Sequence, residues 1–172
     1  MSSVDPSAKA NAIAALINTP TEEFLAHRGE MSTAGLTADE INAALAARPD
    51  LPRPLLPIER DVLLAILGYA DFVGRDQLVE QVDSARVVGY CPCPCASIAL
   101  EVSPTAPESI GGGYPIRNEA QLLDASGESI GGVIVFTEGG YLSYLEIHTW
   151  DEDAAISPLP PLDRLRLRQR QY

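Results

Sequence analysis

A change of grammar around Ala85 constrains this chain more than any other feature. Before it, apolar residues recur at helical spacing. After it they fall in short β-rich runs, ARVVGY, SIALEV, QLLDA, GGVIVFT and YLSYLEIHTW, separated by Pro, Gly, Asp and Ser clusters. A sheet made of such runs needs one face covered, and the preceding amphipathic helices are the available cover. The expected class is α+β, with N-terminal helices followed by a small antiparallel β-sheet. The last three runs form a meander through turns at DASG and TEGG.

Within the helical half, Ile13, Leu16 and Ile17 share one face, and Phe24 and Leu25 follow a Thr-Pro start at Thr19 and Pro20. TADE at 37–40 reads as a capping box, with Thr37 accepting from the amide near Glu40 while Glu40 reaches back; Ile41 and Leu45 then continue the apolar face. The stretch PDLPRPLLP at 49–57 holds four prolines and excludes both helix and central strand. A further helix follows, with Ile58, Val62, Ala65, Ile66 and Tyr69 as its core stripe. Another begins near Gly74 and carries Leu78, Val79 and Val82. The implied organisation is a helical appendage at 1–48, a Pro-rich linker at 49–57, an α+β domain at 58–163 and a basic tail at 164–172.

Charge narrows the partners. Twelve basic against twenty-four acidic residues give a net charge of -12, which repels nucleic acid and anionic lipid and favours a basic protein partner. Arg164, Arg166, Arg168 and Arg170 sit together near the end, leaving 8 basic and 24 acidic residues in 1–163. The tail and body therefore attract each other. No window has the apolar length of a membrane span, and the first twenty residues lack the apolar run of a signal sequence, so a cytoplasmic location is expected. In that compartment the cysteines stay reduced.

The three cysteines form the most distinctive string, CPCPC, at Cys91, Cys93 and Cys95. Three thiolates are a zinc-type donor set, and His148 is available as a fourth ligand. Against this, alternate residues of an extended segment lie ~6.6 Å apart, and Pro92 and Pro94 stiffen that shape. Two further readings stay open: cysteines packed as small apolar residues at a strand exit, or a redox thiol. The redox reading requires a lowered pKa that no neighbouring Lys or Arg supplies.

A second candidate is the last strand. Alternation puts Leu142, Tyr144, Glu146, His148 and Trp150 on one face, with Tyr141, Ser143, Leu145, Ile147 and Thr149 toward the core. Tyr144, Glu146, His148 and Trp150 then make a polar aromatic binding surface, or an amphipathic exterior with cross-strand pairs. Nucleophilic triads are poorly served: the other histidine, His27, sits in a helical segment, and there is no GxSxG. The ESIGG copies at 108–112 and 128–132 lack the GK[ST] of a phosphate loop, and Asp151, Glu152 and Asp153 read as a solvated turn. No catalytic residue is assigned.

ERDVLLAIL, GRDQLVEQVDSARVVGYCPCPCASIALEV and SIGGVIVFTEGGYLSYLEIHTWDEDA together resemble a family of uncharacterised small bacterial proteins, with a helix pair, a CxCxCPS-like corner and an LSxLE strand, over about residues 58–153. Pro94 stands where that pattern has glycine, Ala96 where it has proline, and His148 where it has Tyr or Ser; the last departure weakens a role for His148 as ligand or catalyst. LINTP, EEFL and AGLTADEINAAL, within residues 11–46, resemble the three-helix amino-terminal domain of peroxin-14, which binds aromatic peptide motifs. The leading expectation is a non-enzymatic protein-interaction module, immunity or antitoxin-like, with a basic partner. Its rival is a small metal- or thiol-binding protein built on CPCPC.

Overall fold

The computed structural model describes residues 5–111 and 114–171. Three helices open the chain: α1 (Pro6–Asn18), α2 (Thr21–His27) and α3 (Ala38–Ala46), with a 3-10 turn at Arg28–Glu30. A two-residue strand β1 (Arg53–Pro54) precedes α4 (Pro57–Gly68) and α5 (Arg75–Gln81). Six more strands follow: β2 (Arg86–Tyr90), β3 (Ile98–Glu101), β4 (Asn118–Leu123), β5 (Ser129–Glu138), β6 (Tyr141–Thr149) and β7 (Leu165–Gln169). They form one sheet in the order β1-β2-β3-β6-β5-β4-β7, with every neighbouring pair antiparallel. The α+β expectation holds, and β4, β5 and β6 are the meander that DASG and TEGG announced. Gly139 and Gly140 take φ of 57° and 85°, the double left-handed turn that only glycine adopts cheaply. Among the described residues, no helix is long and apolar enough to cross a membrane.

One face of the sheet carries the core. Val87, Ile98, Leu100, Leu122, Val133, Val135, Leu142, Leu145 and Ile147 bury against Val62, Leu63, Ile66 and Leu67 of α4 and Leu78 of α5. The stripe of α4 is rotated from expectation. Leu63 and Leu67 are inside, while Tyr69, at the end of the helix, is 48% exposed. Asn118 explains how this helix end is seated: its amide donates to the Ala70 carbonyl just past the helix at 2.8 Å and to the Leu67 carbonyl of the last turn at 3.4 Å, a group the helix leaves free.

Strand β6 departs from strict alternation. Phe136 faces Tyr144 but Thr137 faces Leu142, so Ser143 is an extra residue in β6. The bulge turns Leu142 into the core at 1% exposure and leaves Tyr144, Glu146 and His148 on the outer face. Leu142, expected outside, is thus a core residue; Ser143, expected inside, is the bulge.

Residues 5–48, expected as part of an appendage at 1–48, pack on the sheet, and 49–57 is more than a linker. Phe24 is fully buried with its ring 5.1 Å from that of Tyr90 on β2, and Arg48 lies 3.8 Å over the Phe24 ring. Arg48 also donates to the Leu16 and Thr19 carbonyls and to Asp50, whose other oxygen accepts from Tyr90 and Thr21. In the proline stretch, β1 pairs with β2, with Pro54 tolerated because this is a sheet edge. Arg53 makes a bidentate bond to Glu59 at 2.8 and 2.7 Å, both side chains nearly inaccessible. The capping box at Thr37 and Glu40 forms as expected, and Lys9 of α1 binds Glu40, tying α1 to α3.

The arginine-rich end is a strand as well. Along β7, Leu167 lies opposite Ala120 and Arg168 opposite Glu119 of β4. Arg168 and Arg170 both bond the Glu119 carboxylate, which is only 5% exposed. The attraction between acidic body and basic end is therefore realised in one specific contact.

Candidate functional site

The cysteines lie in the loop between β2 and β3, which closes where the Cys91 amide donates to the Ser97 carbonyl at 3.2 Å. The loop is turned rather than extended, contrary to the argument from alternate spacing. Cys91 Sγ lies 2.9 Å from Cys93 Sγ, which lies 2.8 Å from Cys95 Sγ. All three sulfurs fall within 4.8 Å of one another.

What bends the loop comes from far away in sequence. Arg28, 5% exposed, donates to the Cys95 carbonyl at 2.7 Å, to the Cys93 carbonyl at 2.8 Å and to the Cys91 carbonyl. Three carbonyls of alternate residues thus converge on one guanidinium, which is the reason the attached side chains gather. Arg28 is held from the other side by the rings of Phe24 and Tyr90, at 4.9 and 5.8 Å. Burial pulls its pKa below the usual value, while the neighbouring cysteines oppose that pull. The local sequence around CPCPC gave no sign of this cation, and its only trace was an unexplained arginine after α2.

The second anchor is Ser97. Its hydroxyl donates to the Ile147 carbonyl and accepts from the Ile147 amide at 2.8 Å, extending the β3 to β6 ladder by a side chain. The Cys95 thiol lies 3.2 Å from the same hydroxyl. Hydrogen bonding from Cys91, then from Cys93 and the Ser97 backbone amide, draws the Cys95 thiol down to about 5 against the opposing effect of burial. The same contact, seen from Cys91, pushes that thiol up. Tyr144 reaches this group from β6: burial, then Cys91, raises its hydroxyl. Cys95 is thus the most readily ionised of the three, with the Cys93 thiol donating to it across 2.8 Å.

As a donor set, three cysteines suit a thiophilic ion. Tetrahedral zinc–sulfur bonds of about 2.3 Å imply sulfur separations of about 3.8 Å. The sulfurs must therefore part by about an ångström, within side-chain freedom in a loop whose Cys93 is exposed. Three thiolates and a divalent ion sum to one negative charge, and the buried Arg28 cation balances it.

His148 does not join the cluster. Its ring sits over Gly132, 5.1 Å from the Trp150 ring, with Nδ1 3.6 Å from Glu146 and no hydrogen-bond partner. With Trp150, Glu119, Gln121, Arg168 and Arg170 it lines a cavity of about 610 Å³ on the outer sheet face. Tyr144 and Glu146 line a different hollow on that face, so the four residues read as one binding surface divide between two places. His27 pairs with Glu30 in solvent. In the first ESIGG copy Gly112 lies outside the described residues, and the second copy enters β5 as plain strand. Asp151 supports its own turn by accepting from the Asp153 amide. No protein-family model, curated protein or solved structure matches this chain.

Proposed function

We propose that this protein binds a thiophilic divalent metal ion, zinc being the natural candidate, through Cys91, Cys93 and Cys95. The observation that carries the reading is the convergence of three sulfurs in a loop folded around the buried guanidinium of Arg28. Cys95 supplies the thiolate that makes the first bond at neutral pH, and capture of the ion releases the protons of Cys91 and Cys93. Arg28 holds the loop carbonyls and offsets the charge. Three protein ligands leave one position of a tetrahedral ion for water or an outside donor.

The test is metal analysis of protein purified without added metal, followed by cobalt titration of the stripped chain. One equivalent per chain with a thiolate-to-cobalt charge-transfer band supports the reading. Cys93→Ser, at an exposed position, should weaken binding by about 100-fold. Binding far below one equivalent, or binding by Cys93→Ser and Cys95→Ser as tight as that of the unmodified chain, overturns it.

A second reading, a non-enzymatic interaction module for a basic protein, is supported by the outer sheet face. That face presents Tyr144, Glu146 and Trp150.

A further inference from the structure

The outer face of the sheet holds a hollow of about 590 Å³ lined by Tyr114, Phe136, Glu138, Ser143, Tyr144 and Glu146. Its composition is selective. Three aromatic rings run across it, Tyr114 and Phe136 with centroids 5.0 Å apart and Phe136 and Tyr144 6.4 Å apart, each pair steeply tilted. Two carboxylates, Glu138 and Glu146, complete the lining, and none of the six residues is basic. Ring faces and carboxylates both attract a cation, and their combination is the chemistry that recognises a guanidinium or ammonium group.

The walls are held in place before any ligand arrives. The Ser143 bulge sets the Tyr144 ring on the outer face beside Phe136. Phe136 in turn is flanked by a ring on each side. The neighbouring cavity differs: there Arg168 and Arg170 line the wall and are bound to Glu119, so that end of the face does not invite a cation.

We infer that this groove docks an arginine- or lysine-bearing segment of a basic protein partner, a side-chain cation seating against Phe136 and Tyr144 between Glu138 and Glu146. The inference rests on the interaction reading above. A charge of -12 on the chain steers such a partner toward the surface, and the groove supplies the place where it stops.

The experiment uses the full chain and a short peptide of arginine and glycine, with the citrulline peptide as its uncharged counterpart, in calorimetric titration. Glu138→Gln with Glu146→Gln is compared with Glu22→Gln with Glu23→Gln, exposed residues on α2 that change net charge equally. Saturable binding is expected, weakened about tenfold by citrulline and by the groove pair, and by less than about twofold by the α2 pair. Amide shifts on the unmodified chain should cluster at Phe136, Glu138 and Tyr144. Equal weakening by both pairs, or shifts centred elsewhere, overturns the groove while leaving a basic partner in place. No saturable binding of the arginine peptide overturns the groove and the basic-partner reading together. Equal binding of the citrulline peptide overturns the cationic occupant.

Discussion

Arg28 and Cys95 are 67 residues apart in sequence, and the guanidinium of the first donates to the carbonyl of the second at 2.7 Å. That bond, with its two companions to Cys93 and Cys91, makes the cysteine loop depend on a residue contributed by the helical half of the chain. Arg28→Lys replaces a planar fork by a point charge that cannot satisfy three carbonyls together. Urea denaturation should register a loss of about 2–3 kcal/mol, from carbonyls left without a partner near a buried charge. Metal affinity should fall as well, because the loop that gathers the sulfurs relaxes. A variant that melts with wild type and keeps one equivalent of metal would contradict the role given to Arg28.

The thiols should titrate separately. With Cys95 held near 5 and its ordinary value at 9.0, the folded chain prefers the thiolate. The resulting stabilisation is complete above the unfolded value and shrinks as pH falls from there. It is gone once pH passes below the folded value, near 5. Cys91, pushed up by the same contact, stays protonated at neutral pH. Ultraviolet absorbance of the metal-free protein should therefore show one thiolate step near pH 5, absent in Cys95→Ser. Three thiols ionising together near about 8.5 would refute the shared-proton arrangement.

The reach of sequence reasoning followed the range of the forces involved. Helices before strands, the Thr37 capping box and the glycine turn at Gly139 were legible because each is decided within a few residues. The inward turn of Leu142 was not, since a bulge at Ser143 is set by pairing with Phe136 and Thr137 across the hairpin. CPCPC was legible as donor chemistry, yet its convergence was hidden, because the cation that bends the loop lies on the far side of α3, β1, α4 and α5 in the chain. The proline stretch misled for a similar reason: its Arg53 and Pro54 pair with Val87 and Arg86 of β2, on the far side of α4 and α5 in the chain.

Two adjacent glycines in β5 should respond unequally to alanine. A Cβ on Gly131 would fall 2.0 Å from the His148 carbonyl oxygen, part of the β6 backbone, so the strands must separate. On Gly132 the nearest atom is His148 Cε1 at 2.8 Å, a ring that can rotate, with the Ala120 carbonyl at 3.2 Å behind it. Thermal or urea denaturation should show a loss of about 3 kcal/mol or more for Gly131→Ala and about 1 kcal/mol for Gly132→Ala. The second variant should also displace the His148 ring, visible in its proton resonances. Equal losses would mean that the ring is as immovable as the backbone.

Removal of residues 164–172 should do more than trim a terminus. It takes away β7, uncovers the hydrogen-bonding edge of β4 and leaves the nearly inaccessible Glu119 carboxylate without Arg168 or Arg170. An open edge recruits another chain, and an unpaired buried charge costs about 3 kcal/mol or more. The truncated protein should therefore lose stability and associate as its concentration rises, read by sedimentation and denaturation together. Glu119→Gln in the truncated chain removes the stranded charge but leaves the edge open. It should recover stability while association persists, and recovery of both properties would show that the charge, not the edge, drives the assembly.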